Sequence, residues 1–109
     1  MLQHMKYRTE KEGSMRRIYA LKDFGDVIKG EKGGLISSEA NLSHSGNAWV
    51  SGEARVCGKA KVYGNAWVYD NAWVSGDVRV YGKAQVYDSA DTNYRTLDKV
   101  INMIKKQIY

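Results

Sequence analysis

Residues 46–90 read GNAWVS GEARVC GKAKVY GNAWVY DNAWVS GDVRVY GKAQVY DSA, a six-residue phrase repeated almost without interruption. Valine returns every sixth position, at Val50, Val56, Val62, Val68, Val74, Val80 and Val86, and a small residue stands two before each (Ala48, Ala54, Ala60, Ala66, Ala72, Val78, Ala84). Gly or Asp opens every phrase. A period held this strictly marks a repeat architecture. Within each phrase the side chains alternate, so the Ala and Val share one face and the residues between them take the other. The Gly/Asp pairs that follow are turn chemistry, since Gly, Asn and Asp accept positive φ at small cost. A hairpin meander fails on parity: Tyr69 would pair with Ala72 on the same side, and no sheet face would be purely apolar. If each turn instead bends the chain by about a third of a circle, three phrases close one coil. Every Val and Ala then points into a prism whose coils stack as parallel strands.

The phrases VSGEAR, VCGKAK and VYGNAW resemble the hexapeptide repeat of left-handed β-helix proteins, a superfamily that includes trimeric acyltransferases and γ-class carbonic anhydrases. Residues 17–27 (RIYALKDFGDV), residues 33–43 (GGLISSEANLS) and the GNAWV phrases resemble more narrowly the small hexapeptide-repeat proteins of phages, prophages and gut bacteria. The resemblance implies a short left-handed parallel β-helix, the hand resting on it alone. It implies no particular activity, because the repeat is a scaffold and function sits on what decorates it.

The chain has 109 residues, enough for one core. A net charge of +5 permits an acidic or nucleic-acid partner without requiring one. The single cysteine, Cys57, excludes an intramolecular disulfide framework and fits a reducing compartment. No stretch approaches the roughly 20 apolar residues of a membrane span, and Met1, Leu2, Gln3, His4 and Met5 do not make a signal-peptide core. A bacterial cytoplasm, with no membrane partner, is the expected location.

Three regions are predicted. Residues 1–35 form an N-terminal cap, with Lys6, Tyr7, Arg8 and Thr9 pairing across a Glu-Gly turn with residues 15–21 as a β-hairpin over the open end of the β-helix, an edge that would otherwise invite aggregation. Residues 23–34 read as turns and loop, punctuated by Gly25, Gly30, Gly33 and Gly34, without the Gly-Lys-Ser/Thr of a nucleotide loop. The β-helix is expected over 36–91, about three coils. Extending its frame backwards puts Ile36 and Leu42 at small-residue positions and His44 at a valine position, inside the prism below Val62 and Val80. A connector then leads, within 92–109, to an amphipathic C-terminal α-helix with Thr96 as N-cap and Leu97, Val100, Ile101, Ile104 and Ile108 on one stripe. That stripe must be buried against the last coil or against a second subunit.

Residues eighteen apart should stack on one prism face. The first face then carries Trp49, Trp67 and Gln85 beside Ser51, Tyr69 and Tyr87. The second carries Arg55 and Trp73 with Cys57 and Ser75, and the third Lys61 and Arg79 beside Tyr63 and Tyr81. Trp49, Trp67, Tyr69 and Tyr87 make an apolar patch that predicts an oligomer or protein interface, shared with the helix stripe. Lys61, Arg79, Tyr63 and Tyr81 form a possible anion or nucleic-acid contact.

Catalytic readings find few residues to work with. A carbonic-anhydrase site needs three histidines, and this chain has only His4 and His44, so no metal site is expected. An acyltransferase needs a histidine as general base in a cleft between subunits; His44, the one candidate within the repeat, is expected to point inward. Cys57 has no histidine nearby to act as its base. The reading is a non-enzymatic interaction module without a cofactor, a homo-oligomer that binds a host protein or ribonucleoprotein. The phage-type resemblance suggests an inhibitor of a host factor, such as a defence or CRISPR-type nuclease complex. A minimal trimeric acyltransferase is the alternative, and a nucleic-acid binder the third.

Overall fold

The computed structural model describes residues 5–87 and 91–92. The helix predicted beyond Thr96, with its stripe of Leu97, Val100, Ile101, Ile104 and Ile108, lies outside them. Among the described residues the protein is mainly β, with no α-helix.

Two antiparallel strands open the chain, β1 (Tyr7–Glu12) and β2 (Met15–Ala20), paired from Tyr7↔Ala20 to Glu12↔Met15 around Gly13, whose φ is 65°. A third strand, β3 (Lys32–Ile36), serves two sheets. It pairs antiparallel with β2 and then, at Leu35 and Ile36, runs parallel to β5 (Arg55–Val56). Residues 32–34, expected as loop, are therefore strand. Gly33 and Gly34 are there for packing: a Cβ on Gly33 would lie 2.5 Å from Ile18 Cγ1 and 2.7 Å from Trp49 Cζ2, and one on Gly34 would lie 2.7 Å from the Ala54 carbonyl.

The repeat then winds through two-residue strands: β4 (Trp49–Val50), β5, β6 (Lys61–Val62), β7 (Trp67–Val68), β8 (Trp73–Val74), β9 (Arg79–Val80), β10 (Gln85–Val86) and β11 (Asp91–Thr92). They pair as three parallel walls, β3-β5-β8-β11, β4-β7-β10 and β6-β9. This is a β-solenoid: Ala48, Ala54, Ala60, Ala66 and Ala72 and the valines from Val50 to Val86 are all at 0% exposure. Removing one valine side chain from water contributes about 1.5–3 kcal/mol, and the columns repeat that gain coil after coil. The corner glycines adopt positive φ, and Asp70 takes the same left-handed conformation at φ 59°.

The first coil breaks the period. Trp49 pairs with Trp67, eighteen residues on, but Ile36 pairs with Val56 and Leu42 with Val62, twenty residues on. Two additional residues therefore lie between Leu42 and Val50. Because two is even, alternation survives and the core face stays apolar. Ile36 and Leu42 move from the small-residue positions assigned by the frame to the valine positions. His44 is correspondingly outside the prism rather than under Val62.

Candidate functional site

The strand order gives each end of the solenoid a polarity. In each coil the odd-numbered N–H groups donate to carbonyls of the following coil, as in Asn47 to Gly64 (3.0 Å), Trp49 to Ala66 (3.1 Å) and Ser51 to Val68 (2.8 Å). At the N-terminal end the corresponding carbonyls have no full coil before them. An unpaired buried carbonyl is costly, and the fold supplies side-chain donors. Lys6 Nζ donates to Ala48 O (2.7 Å) and Gly46 O (3.4 Å). Asn41 Nδ2 donates to Ala60 O (2.8 Å) and Gly58 O (3.2 Å). Arg17 Nη1 reaches Gly52 O at 3.4 Å and Gly33 O at 3.2 Å. Backbone N–H groups of Leu35, Ser37 and Ser43 take the carbonyls of Ala54, Val56 and Val62.

Each of these side chains is itself held. Asn41 closes a 3-10 turn (Glu39–Asn41) capped by Ser38, and its Oδ1 accepts from the N–H groups of Ser37 and Ser38, both at 2.9 Å. Arg17 is buried and forks onto Glu12, at 2.5 and 3.1 Å; that hydrogen bond holds the Glu12 carboxyl below its ordinary range. Lys6 is buried with its ammonium 5.0 Å from the centre of the Phe24 ring. Burial, assisted by the charge of Lys22, lowers its pKa to about 8. None of the three was singled out from the sequence as a capping side chain. The Ser38-x-x-Asn41 spacing was the one signal that could have revealed one of them.

His44 belongs to the same cap. Its ring stacks on Tyr7 (4.0 Å, 12°), Nδ1 accepts the Lys6 backbone N–H at 3.1 Å, and Nε2 lies 2.9 Å from Glu39 Oε1. An N–H can only donate, so Nδ1 carries no proton and Nε2–H donates to Glu39. Both nitrogens are engaged within the cap. Tyr7, stacked on this ring, sends its hydroxyl to Leu42 O at 2.5 Å, and burial pushes its pKa up.

The expected aromatic patch is divided. Trp49, predicted to face outward with Trp67, is fully buried: the hairpin and the loop after it lay Tyr7 (6.4 Å) and Phe24 (5.2 Å) edge-on against its ring. Its register with Trp67 is as the period requires, but the N-terminal segment covers that end of the face. Trp67 is partly buried against the core, and Tyr69 stacks on Tyr87 (5.3 Å, 12°), with the Tyr69 hydroxyl donating to Gln85 Oε1 at 3.3 Å. On the third face Lys61 and Arg79 are in register and exposed, and Tyr63 stacks on Tyr81 (5.2 Å, 12°). On the second, Trp73 is 46% exposed, with the Arg55 guanidinium 6.0 Å from its ring centre and its indole N–H directed at Cys57 Sγ, 3.3 Å away. Trp73 is the most exposed aromatic found on these faces, yet sequence reasoning did not list it as a contact residue.

Among the described residues no group of His, Cys, Asp and Glu is arranged to hold a metal ion, and no helix is long and apolar enough to cross a membrane.

The YdcK β-solenoid repeat family matches residues 60–76 and 74–88. The chain is also similar to a protein of Escherichia coli strain K12 named "uncharacterized acetyltransferase YdcK", at 45% identity over 42 residues. That stretch is 38% of this chain and 13% of the relative, so the similarity spans about an eighth of the relative's length. With the parallel walls and inward valines, these matches define a β-solenoid repeat protein.

Proposed function

We propose that the protein is a non-enzymatic protein-binding module, a rigid prism whose outward ladders contact a partner. The observation that carries this reading is the cluster of half-buried aromatics Trp67, Tyr69 and Tyr87, with Tyr69 stacked on Tyr87, which remains partly exposed after the N-terminal segment has covered Trp49. Tyr and Trp supply large contact area at low conformational cost, and side chains held on or immediately after two-residue strands are already ordered before binding. The resemblance of the repeats to phage and prophage proteins makes a bacterial host protein, including a defence-nuclease complex, the partner class to screen first. Self-association is the other use of the same row.

The test compares wild type with Trp67→Ala/Tyr69→Ala in solution mass and in capture of partners from bacterial lysate. Loss of one defined partner, with folding retained, supports a foreign-partner site. A fall in mass supports a homo-oligomer interface. Unchanged mass and unchanged capture would refute the role of this face.

The name of the E. coli relative favours a second reading, acyl transfer with His44 as general base. Against it stands the hydrogen bonding of His44, which leaves neither ring nitrogen free for a substrate proton. Acyl transfer predicts binding of coenzyme A and loss of turnover in His44→Ala. The binding-module reading predicts neither.

A further inference from the structure

Most described arginines have a partner inside the fold. Arg8 pairs with Glu10, Arg17 with Glu12, Arg16 donates to Thr9, and Arg55 lies over Trp73. Arg79 differs. It lies directly across a parallel pair from Lys61, like charges on neighbouring strands that repel each other, and no ion pair among the described residues compensates either one. Lys59 stands on the preceding corner, and Asp77 is the one acid in residues 58–64 and 76–82. The stacked Tyr63 and Tyr81 continue the face toward the corner that leads into Trp67. An uncompensated cation pair on rigid strands, bordered by tyrosine, suits an oxyanion.

The tyrosine geometry separates the two sources of such a group. With centroids 5.2 Å apart and rings nearly parallel, Tyr63 and Tyr81 cover one another and leave no slot for a base, which needs about twice a 3.4 Å stacking distance between two rings. Insertion of a base between these rings is therefore not what they offer, and oligo-dT is the competitor against which carboxylates are tested. Their rims beside two cations fit carboxylates on a protein surface.

We propose that the Lys61/Arg79 face is a docking site for an acidic protein segment, continuous around the corner with the Trp67/Tyr69 row. The inference rests on the binding-module reading and adds the chemistry of the partner. A labelled decaglutamate peptide titrated against the full chain, followed by fluorescence anisotropy, tests it. Lys61→Gln/Arg79→Gln should weaken binding by at least about ten-fold. Lys29→Gln/Lys32→Gln, which removes the same charge from another exposed region, should leave it within about two-fold. Capture of partners from lysate by Trp67→Ala/Tyr69→Ala is read separately from peptide binding, so failure of this site can be told from failure of the aromatic row. The proposal is overturned if wild type does not bind the peptide, if the two charge variants weaken binding equally, or if oligo-dT of equal charge binds more tightly.

Discussion

Replacing Asn41 by alanine removes both donors from the Gly58 and Ala60 carbonyls and the acceptor shared by the Ser37 and Ser38 N–H groups. Leaving buried polar groups unpaired costs about 1–3 kcal/mol each, so Asn41→Ala should lose about 2–4 kcal/mol in urea unfolding, with water recovering part of the remainder. Asn41→Asp keeps the acceptor but turns an oxygen toward the two carbonyls, and should be no better than alanine. Lys6 makes a pH-dependent prediction. Its pKa falls from 10.5 to about 8 on folding, so between those values the unfolded chain holds a proton that the folded chain has released. Stability contributed by this group therefore rises from pH 8 toward 10.5, while a neutral amine still has N–H groups for both carbonyls. Tyr7, shifted upward, acts in the opposite sense from about pH 10, where the unfolded phenol ionises first. The urea midpoint of wild type should gain on Lys6→Met between pH 7.5 and 9.5. A constant difference would contradict the assignment.

At the scale of elements, the hexad shows how much a sequence can carry. Alternation put Ala and Val inside, the Gly/Asp corners took positive φ, and an eighteen-residue repeat placed Trp49 on Trp67 and Lys61 on Arg79. What it missed lies at the N-terminal end, where the first coil is lengthened by two residues. A shift of two keeps polarity in phase, so hydrophobic pattern alone could not distinguish Leu42 from His44 as the residue beside Val62. Nor could periodicity show that Gly33 is empty to admit Ile18 and Trp49, or that the N-terminal segment would bury Trp49. Those are long-range contacts. The stacking of corners gives a further test. A Cβ at Gly46 would lie 2.5 Å from the Gly64 carbonyl, whereas one at Gly82 meets nothing within 4 Å among the described residues, although both have positive φ. Gly82→Ala should cost about 1–2 kcal/mol from the left-handed backbone. Gly46→Ala should cost clearly more by thermal or urea unfolding, because a backbone must shift as well.

For the whole molecule, one end of the solenoid is closed by side-chain donors while its walls display ladders fixed by the repeat. The N-terminal segment thus does two jobs: it satisfies the carbonyls of the first coil, and it buries Trp49 while engaging Nδ1 of the half-buried His44. On the proposed reading His44 is a cap residue and the outward faces carry the binding function. The measurement that tests it most directly is the ring ¹⁵N spectrum of histidine-labelled protein with and without acetyl-coenzyme A, with His4→Gln used to assign His44. The account predicts one neutral form of His44, protonated on Nε2 with Nδ1 as acceptor, and no change when acetyl-coenzyme A is added. A ring that exchanges between tautomers, or whose Nδ1 or Nε2 shifts on addition of acetyl-coenzyme A, would contradict it, and the latter would favour the acyl-transfer reading.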